Sequence, residues 1–231
     1  MNTTTASRFL SLRRFAPFFL LSALAAPLPV HAHAVWIEDT PDGRLVVRFG
    51  EPGDEFEKSP GHLDSLTLPE AWAFDAEGKP AAFEVQKKSD HFLFLAASSA
   101  AVALGETGFP VMQRGDNPAT KPFFHVRWMP AGAVAEETKP ALTLDLVPTA
   151  EAGVFRVYFR GEPLAGAEIT VHAPDAEYEL VADDAGRVRF TATTSGLHLL
   201  TANHREPVRG FAGGRAHDRV SHNVVLTWRQ P

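Results

Sequence analysis

The chain has 231 residues, with 22 Lys and Arg against 28 Asp and Glu, and a formal net charge of −6. This balance argues against a nucleic-acid-binding protein, which normally presents a basic face. The chain has no cysteine, which excludes disulfide bonds, thiolate metal sites and cysteine nucleophiles. Hydrophobic residues make up 45% and charged residues 22%, which is typical of a folded protein.

The N-terminal segment has the pattern of a secretory signal peptide. Arg8, Arg13 and Arg14 precede an apolar run over residues 15–26, and small residues and prolines follow it. A basic start, a short apolar stretch and a small-residue exit are typical of an exported protein. A spanning helix needs about 20 apolar residues, so we expect no membrane span in the mature chain. We expect the protein to be periplasmic.

The cleavage site decides which residue begins the mature chain. Residues 30–32 read Val-His-Ala and place residues that suit the peptidase at the two positions it reads. This pattern favours a signal peptide over residues 1–32, with cleavage after Ala32. Cleavage after Ala34 or Ala25 is an alternative. The favoured cut would make His33 the N-terminal residue.

Beyond residue 33, strand patterns recur about every 8–12 residues with turn residues between them, and no helical period is sustained. The first half predicts strands over residues 34–37, 45–49, 71–74, 82–86, 92–96, 102–104 and 123–128. The second half predicts strands over residues 142–148, 154–159, 167–172, 188–191, 196–202 and 220–228. The sequence therefore predicts an all-β fold.

A proline-bounded segment over residues 130–140 divides the two halves. It lacks large apolar residues apart from Val134, as is typical of a linker. We therefore predict two antiparallel β-sandwich domains after the signal peptide, over residues 33–129 and 141–231. The second has the short, regular strands of an immunoglobulin-like or transthyretin-like sandwich.

Three segments of the second half carry a resemblance to a known module. They read Gly-Glu-Pro-Leu-Ala-Gly-Ala-Glu-Ile-Thr-Val over residues 161–171, Asp-Asp-Ala-Gly-Arg-Val-Arg-Phe over 183–190, and Gly-Leu-His-Leu-Leu-Thr-Ala over 196–202. In these segments the chain resembles the carboxypeptidase-regulatory-like, transthyretin-like sandwich. The resemblance implies a β-sandwich and no particular activity.

A second resemblance covers nearly all of residues 31–229. It rests on His-Ala-His-Ala-Val-Trp-Ile-Glu over residues 31–38, Arg-Phe-Gly-Glu-Pro-Gly over 48–53, and Asp-Arg-Val-Ser-His over 218–222. With these motifs the chain is similar to the periplasmic component family of cobalt/nickel ABC-type uptake systems. The resemblance implies a periplasmic, all-β, metal-binding protein of bacterial type. We expect its partner to be a membrane permease or an outer-membrane receptor of a metal uptake system.

His33 is the first candidate metal ligand. Without thiols, imidazole nitrogen with an amine or carboxylate suits Ni, Co, Cu or Zn. At a mature N-terminus, the amine and ring Nδ1 of His33 could close a chelate ring on one ion. A further histidine would give three nitrogens in the tetragonal geometry that suits Cu(II) or Ni(II).

His125 and His204 are the candidates for that further ligand. His125 alternates with the apolar residues of strand 123–128, so it faces away from their core, where we expect it to be solvated unless it binds a metal. His204 follows strand 196–202 and occupies a position where the resembled family tends to carry a histidine. We interpret His198 and His222 as core residues, because they share a face with apolar neighbours.

The acidic loop over residues 51–68 is a weaker candidate. It lacks the spacing of a calcium-binding loop, so we interpret its carboxylates as a solvated rim. His62, with Asp64, is a further candidate ligand there.

Three functions are compatible with these features. The favoured hypothesis is a periplasmic protein that binds Ni, Co or Cu and serves metal uptake or handling. The second is a non-enzymatic structural or interaction protein of the cell envelope. The third is a copper oxidase-like enzyme, because an N-terminal histidine with a second histidine is the ligand set of lytic polysaccharide monooxygenases. The chain has no hydrolase, zinc-protease, P-loop or dinucleotide-binding motif, which makes catalysis the less favoured hypothesis without excluding it.

Overall fold

The computed structural model describes residues 33–74, 78–95, 102–130 and 139–231. The predicted signal peptide, and residues 131–138 of the predicted linker, lie outside the described residues. In the described part of the chain the regular structure is eighteen strands and one short 3₁₀ turn, His62–Ser65. The all-β prediction is confirmed. No helix among these residues has the length and apolar character needed to cross a bilayer.

Each predicted strand overlaps an observed one, with bounds that differ by up to a few residues, and the predicted strand over 82–86 corresponds to two short strands. The first half contains β1 (Ala34–Asp39), β2 (Leu45–Gly50), β3 (Glu70–Phe74), β4 (Pro80–Ala82), β5 (Glu84–Lys87), β6 (Phe92–Leu95), β7 (Val102–Gly108) and β8 (Thr120–Met129). The second half contains β9 (Leu144–Pro148), β10 (Val154–Phe159), β11 (Glu162–Pro163), β12 (Glu168–His172), β13 (Glu177–Val181), β14 (Arg187–Arg189), β15 (Gly196–Glu206), β16 (Gly210–Ala212), β17 (Arg215–His217) and β18 (Arg219–Gln230). The sequence analysis did not predict four strands, β11, β13, β16 and β17. They are short, with two to five residues, and mostly exposed.

One eight-stranded sheet runs through both halves of the chain, in the order β13-β12-β15-β18-β8-β7-β3-β4. The halves meet where β18 pairs with β8, from Arg219 opposite Thr120 to Trp228 opposite Met129. This pair is parallel, whereas every other pair in the sheet is antiparallel. The two central strands therefore come from different halves.

A smaller sheet covers each face of the long one. The sheet β1-β2-β6-β5 packs on one face through a core that includes Val35, Phe92 and Val126. Strands β9, β10, β11 and β14 form the cover of the second core, which includes Leu146 and Leu226. Both sandwiches therefore have a core of their own. Each fully buried large apolar side chain in these cores contributes roughly 1.5–3 kcal/mol to the stability of the fold.

Strand β8 is covered on both faces, which decides where its polar residues lie. Its residues Phe124, Val126 and Trp128 belong to the first core, while Met129, of opposite parity, belongs to the second. Successive side chains of a strand point to opposite faces. His125 therefore lies on the face covered by the second sandwich.

Candidate metal site and a buried histidine pair

Three side chains converge beside the start of β1. Nε2 of His33 lies 2.6 Å from Oε1 of Glu57, and Nδ1 of His62 lies 3.0 Å from the same oxygen. The ligand atoms of the three residues all lie within 4.8 Å of one another. Atoms bound to one ion at about 2.0–2.2 Å are at most about 4.4 Å apart, so a small movement would place all three on one ion. We call these residues the His33 cluster.

The β1–β2 pair and the following loop bring His33 to Glu57. Ala34 pairs with Gly50, so the residue before β1 lies beside the loop that leaves β2. The loop folds back, because the backbone N–H of Glu57 donates to the carbonyl of Phe49 at 2.8 Å. Gly50 has φ 154°, and a Cβ there would lie 2.7 Å from the carbonyl oxygen of Glu55. This close approach requires glycine at residue 50.

The 3₁₀ turn positions His62. Asp64 accepts hydrogen bonds from the hydroxyl of Ser59 at 2.8 Å and from the backbone N–H of Gly61 at 2.9 Å. Lys87 also donates to Asp64. The hydrogen bond from Lys87 is the largest cause that lowers the pKa of Asp64 to about 2. Asp64 therefore fixes the turn, while the carboxylate that faces His62 is Glu57.

The electrostatics of the His33 cluster favour an ionised carboxylate. Partial burial raises the pKa of Glu57, but the hydrogen bonds from His62 and His33 outweigh burial and hold that pKa below its usual value. The imidazole rings are half-exposed or exposed, with 41% of the His33 side chain and 72% of the His62 side chain accessible. Two imidazoles and a carboxylate are a donor set that suits Zn, Cu, Ni or Co.

The structure groups His33 with residues other than His125 and His204, the partners that the sequence predicted. In the part of the chain that the structure describes, His33 is grouped with Glu57 and His62. The His204 ring packs on Phe159, with centroids 4.3 Å apart. His125 contacts Glu106 and His222. That His33, His125 and His204 bind a metal stays a prediction. The sequence placed Glu57 on a solvated rim, and its spacing of five residues from His62 was the one local signal available.

His125 belongs to a chain of side chains on the second face of the long sheet. Its Nδ1 lies 2.8 Å from Oε1 of Glu106, and its Nε2 lies 3.1 Å from Nδ1 of His222. Nε2 of His222 lies 3.2 Å from Oε2 of Glu206, which accepts a hydrogen bond of 2.9 Å from Arg160. We call His125 and His222 the histidine pair.

Both histidines of the pair are buried, with relative exposures of 3% and 6%. The expectation of a core position is confirmed for His222 and for His198, which is 0% exposed. The expectation that His125 is solvated is wrong, because the second sandwich covers its face of β8. The register of β8 and β18, which sets Phe123 opposite His222 and His125 opposite Val224, brings the two rings together.

The pKa of Glu106 and the pKa of His222 are both lowered. The hydrogen bond with His125 is the largest cause that lowers the pKa of Glu106. Burial, followed by repulsion from the charged form of His125, lowers the pKa of His222, although Glu206 opposes that change. These shifts favour ionised Glu106 and neutral His222.

No protein-family model matches the chain, and no curated protein matches it. Among the described residues, the His33 cluster and the histidine pair both hold side chains that can ligate a metal.

Proposed function

We propose that the protein is a periplasmic binder of a divalent transition-metal ion, Ni(II), Co(II) or Cu(II), and that it serves metal uptake or handling. The observation that carries the proposal is the convergence of His33, Glu57 and His62 on one point. Neutral imidazole with carboxylate is a donor set of these ions, and the chain offers no thiolate. The apolar N-terminal run and the resemblance to a periplasmic uptake component support the compartment.

The exposure of the cluster supports a role in transfer rather than permanent storage. His33 and His62 are accessible, and three protein ligands leave coordination positions open. A partner with ligands of its own, such as a permease or receptor, could therefore take the ion by ligand exchange. The ring of Phe49 lies 5.4 Å from the ring of His33 and limits the movement of that imidazole.

Metal titration of the exported, processed protein tests the proposal. Isothermal calorimetry with Ni(II), Co(II) and Cu(II) at pH 7.5 would give stoichiometry and affinity, and intact mass would give the N-terminus. We expect one divalent site and at least a tenfold loss of affinity in His62→Gln. The matched control is His91→Gln, since His91 also contacts a carboxylate, that of Asp90 at 2.8 Å, outside the cluster. Equal affinity of the His62 variant and its control would overturn the assignment.

A further inference from the structure

The histidine pair is a second set of metal-ligating side chains that the proposed divalent site does not use. Each ring has one nitrogen at a carboxylate and one nitrogen at the other ring, so a chain of three contacts runs Glu106–His125–His222–Glu206. Both rings are buried, and the rings of Phe123 and Phe159 lie 5.8 Å and 5.3 Å from that of His222. Water is therefore largely excluded from the contact between the rings.

Counting protons shows what the contact between the rings requires. An ionised carboxylate only accepts hydrogen bonds, so Nδ1 of His125 and Nε2 of His222 must carry protons. A neutral imidazole has one protonated nitrogen, so the facing nitrogens, Nε2 of His125 and Nδ1 of His222, would both carry lone pairs. Two lone pairs repel at 3.1 Å. A positive species, either a proton or a metal ion, must therefore lie between them.

The orientation of the rings defines the coordination geometry on offer. The ring planes differ by 18°, and the ring centroids are 5.3 Å apart. This distance is close to the 3.1 Å separation of the facing nitrogens plus the radii of the two rings. The rings consequently meet end to end, with both lone pairs on one line. An ion there would have two nitrogen ligands in linear geometry. Metal–nitrogen bonds of about 2.0 Å would need a nitrogen separation of roughly 4 Å, so each ring would retreat by less than half an ångström.

The fixed charges around the pair favour a monovalent ion. Glu106 and Glu206 are negative, and Arg160 bonds to Glu206 at 2.9 Å. Lys121, which also lies near Phe123, donates to the carbonyl of Phe109. Lys121 therefore lies outside the hydrogen-bonded chain, and the groups within it, the two carboxylates and Arg160, sum to one negative charge. One positive charge between neutral rings balances it, whereas a divalent ion would leave an excess in a buried site, which is costly.

We propose that His125 and His222 form a buried, linear site for Cu(I), which replaces the proton shared by the two rings. Binding of one Cu(I) releases that one proton, and no electron is transferred. Glu106 and Glu206 are positioning residues, which fix the tautomers so that both lone pairs point inward. Carboxylates commonly hold metal-ligating histidines in this way. The site is separate from the His33 cluster and does not depend on it.

Binding of Cu(I) and Ag(I) tests the proposal. Cu(I) would be titrated anaerobically against a chromophoric Cu(I) chelator, and Ag(I), which needs no reductant, would be followed by native mass spectrometry. We expect one buried equivalent of either ion, two nitrogen ligands and no sulfur in X-ray absorption, and one proton released per Cu(I). His222→Gln should weaken binding at least 100-fold. The control His217→Gln, a buried histidine that contacts the carbonyl of Val208, should leave it unchanged.

Two further variants show whether a loss of Cu(I) binding comes from misfolding or from the His33 cluster. Glu106→Gln keeps both rings and removes one positioning carboxylate, so we expect a loss of about 10–100-fold with an unchanged fold. His62→Gln should leave Cu(I) binding intact while it weakens divalent binding. Failure to bind Cu(I) or Ag(I), binding that survives His222→Gln, or a sulfur ligand from a methionine would overturn the proposal and leave the pair as a proton-sharing contact.

Discussion

Arg127 and Asp145 form a fully buried, two-pronged ion pair between β8 and β9. Nε of Arg127 donates to Oδ1 at 2.9 Å and Nη2 donates to Oδ2 at 2.6 Å. Oδ2 also accepts from the backbone N–H groups of Ala141 and Leu142, at 2.8 and 3.2 Å. The pair therefore joins β8, one of the two central strands of the shared sheet, to the start of the second half.

Removal of Arg127 alone should be strongly destabilising. Arg127→Met leaves the carboxylate of Asp145 buried without its cation, which costs about 3–5 kcal/mol. Arg127→Met with Asp145→Asn removes both charges and keeps an oxygen for the two backbone donors, so we expect the double variant to be more stable than the single one. Denaturant unfolding at pH 7 measures both. A double variant less stable than Arg127→Met would contradict this account.

A glycine added before His33 distinguishes two modes of metal binding. The ring nitrogen that faces Glu57 is Nε2, whereas a chelate with the N-terminal amine would use Nδ1. We expect the added residue to weaken Ni(II) or Cu(II) binding less than His62→Gln does, because it leaves Nε2, Glu57 and His62 in place. Calorimetry on the two variants and the native protein measures the difference. A larger loss on extension would instead show that the amine is a ligand.

Divalent metal binding should weaken as the pH falls through about 6. Imidazole ordinarily titrates near 6.5, and its protonated form cannot ligate. The pKa of Glu57 lies below its usual value, so the carboxylate stays ionised in this range and the loss follows the histidines. At pH values below the usual imidazole pKa, we expect the metal affinity to fall about tenfold per pH unit for each histidine ligand. Calorimetry between pH 7.5 and 5 measures the slope, and a pH-independent affinity would exclude imidazole ligands.

Gly50→Ala should disturb the His33 cluster. The new Cβ would meet the carbonyl of Glu55 at 2.7 Å, in a backbone conformation that favours glycine, so we expect a cost of about 1–3 kcal/mol and weaker metal binding. Gly43→Ala is the matched control, since Gly43 also has positive φ but has nothing within 4 Å of its Cβ position. Thermal unfolding and metal titration of both variants test this. Equal effects on metal binding would show that the loop tolerates the contact.

Local sequence patterns were sufficient for much of the fold. Alternation of apolar and polar residues depends only on the strand itself, and it predicted β1, β2, β8 and β18 within a few residues. The absence of cysteine excluded thiolate ligands, and position relative to the predicted signal peptide singled out His33. None of these inferences required knowledge of which strands pair.

Tertiary structure alone decided the surroundings of His125 and the partners of His33. Alternation along β8 shows that His125 and Arg127 share a face, but it does not show what covers that face. The cover arises because β8 pairs with β18, nearly 100 residues away, and a second sandwich packs on both strands. Likewise, Glu57 and His62 reach His33 only because the loop after β2 folds back on Phe49. Contacts between residues distant in sequence depend on strand pairing and loop closure, which local periodicity does not encode.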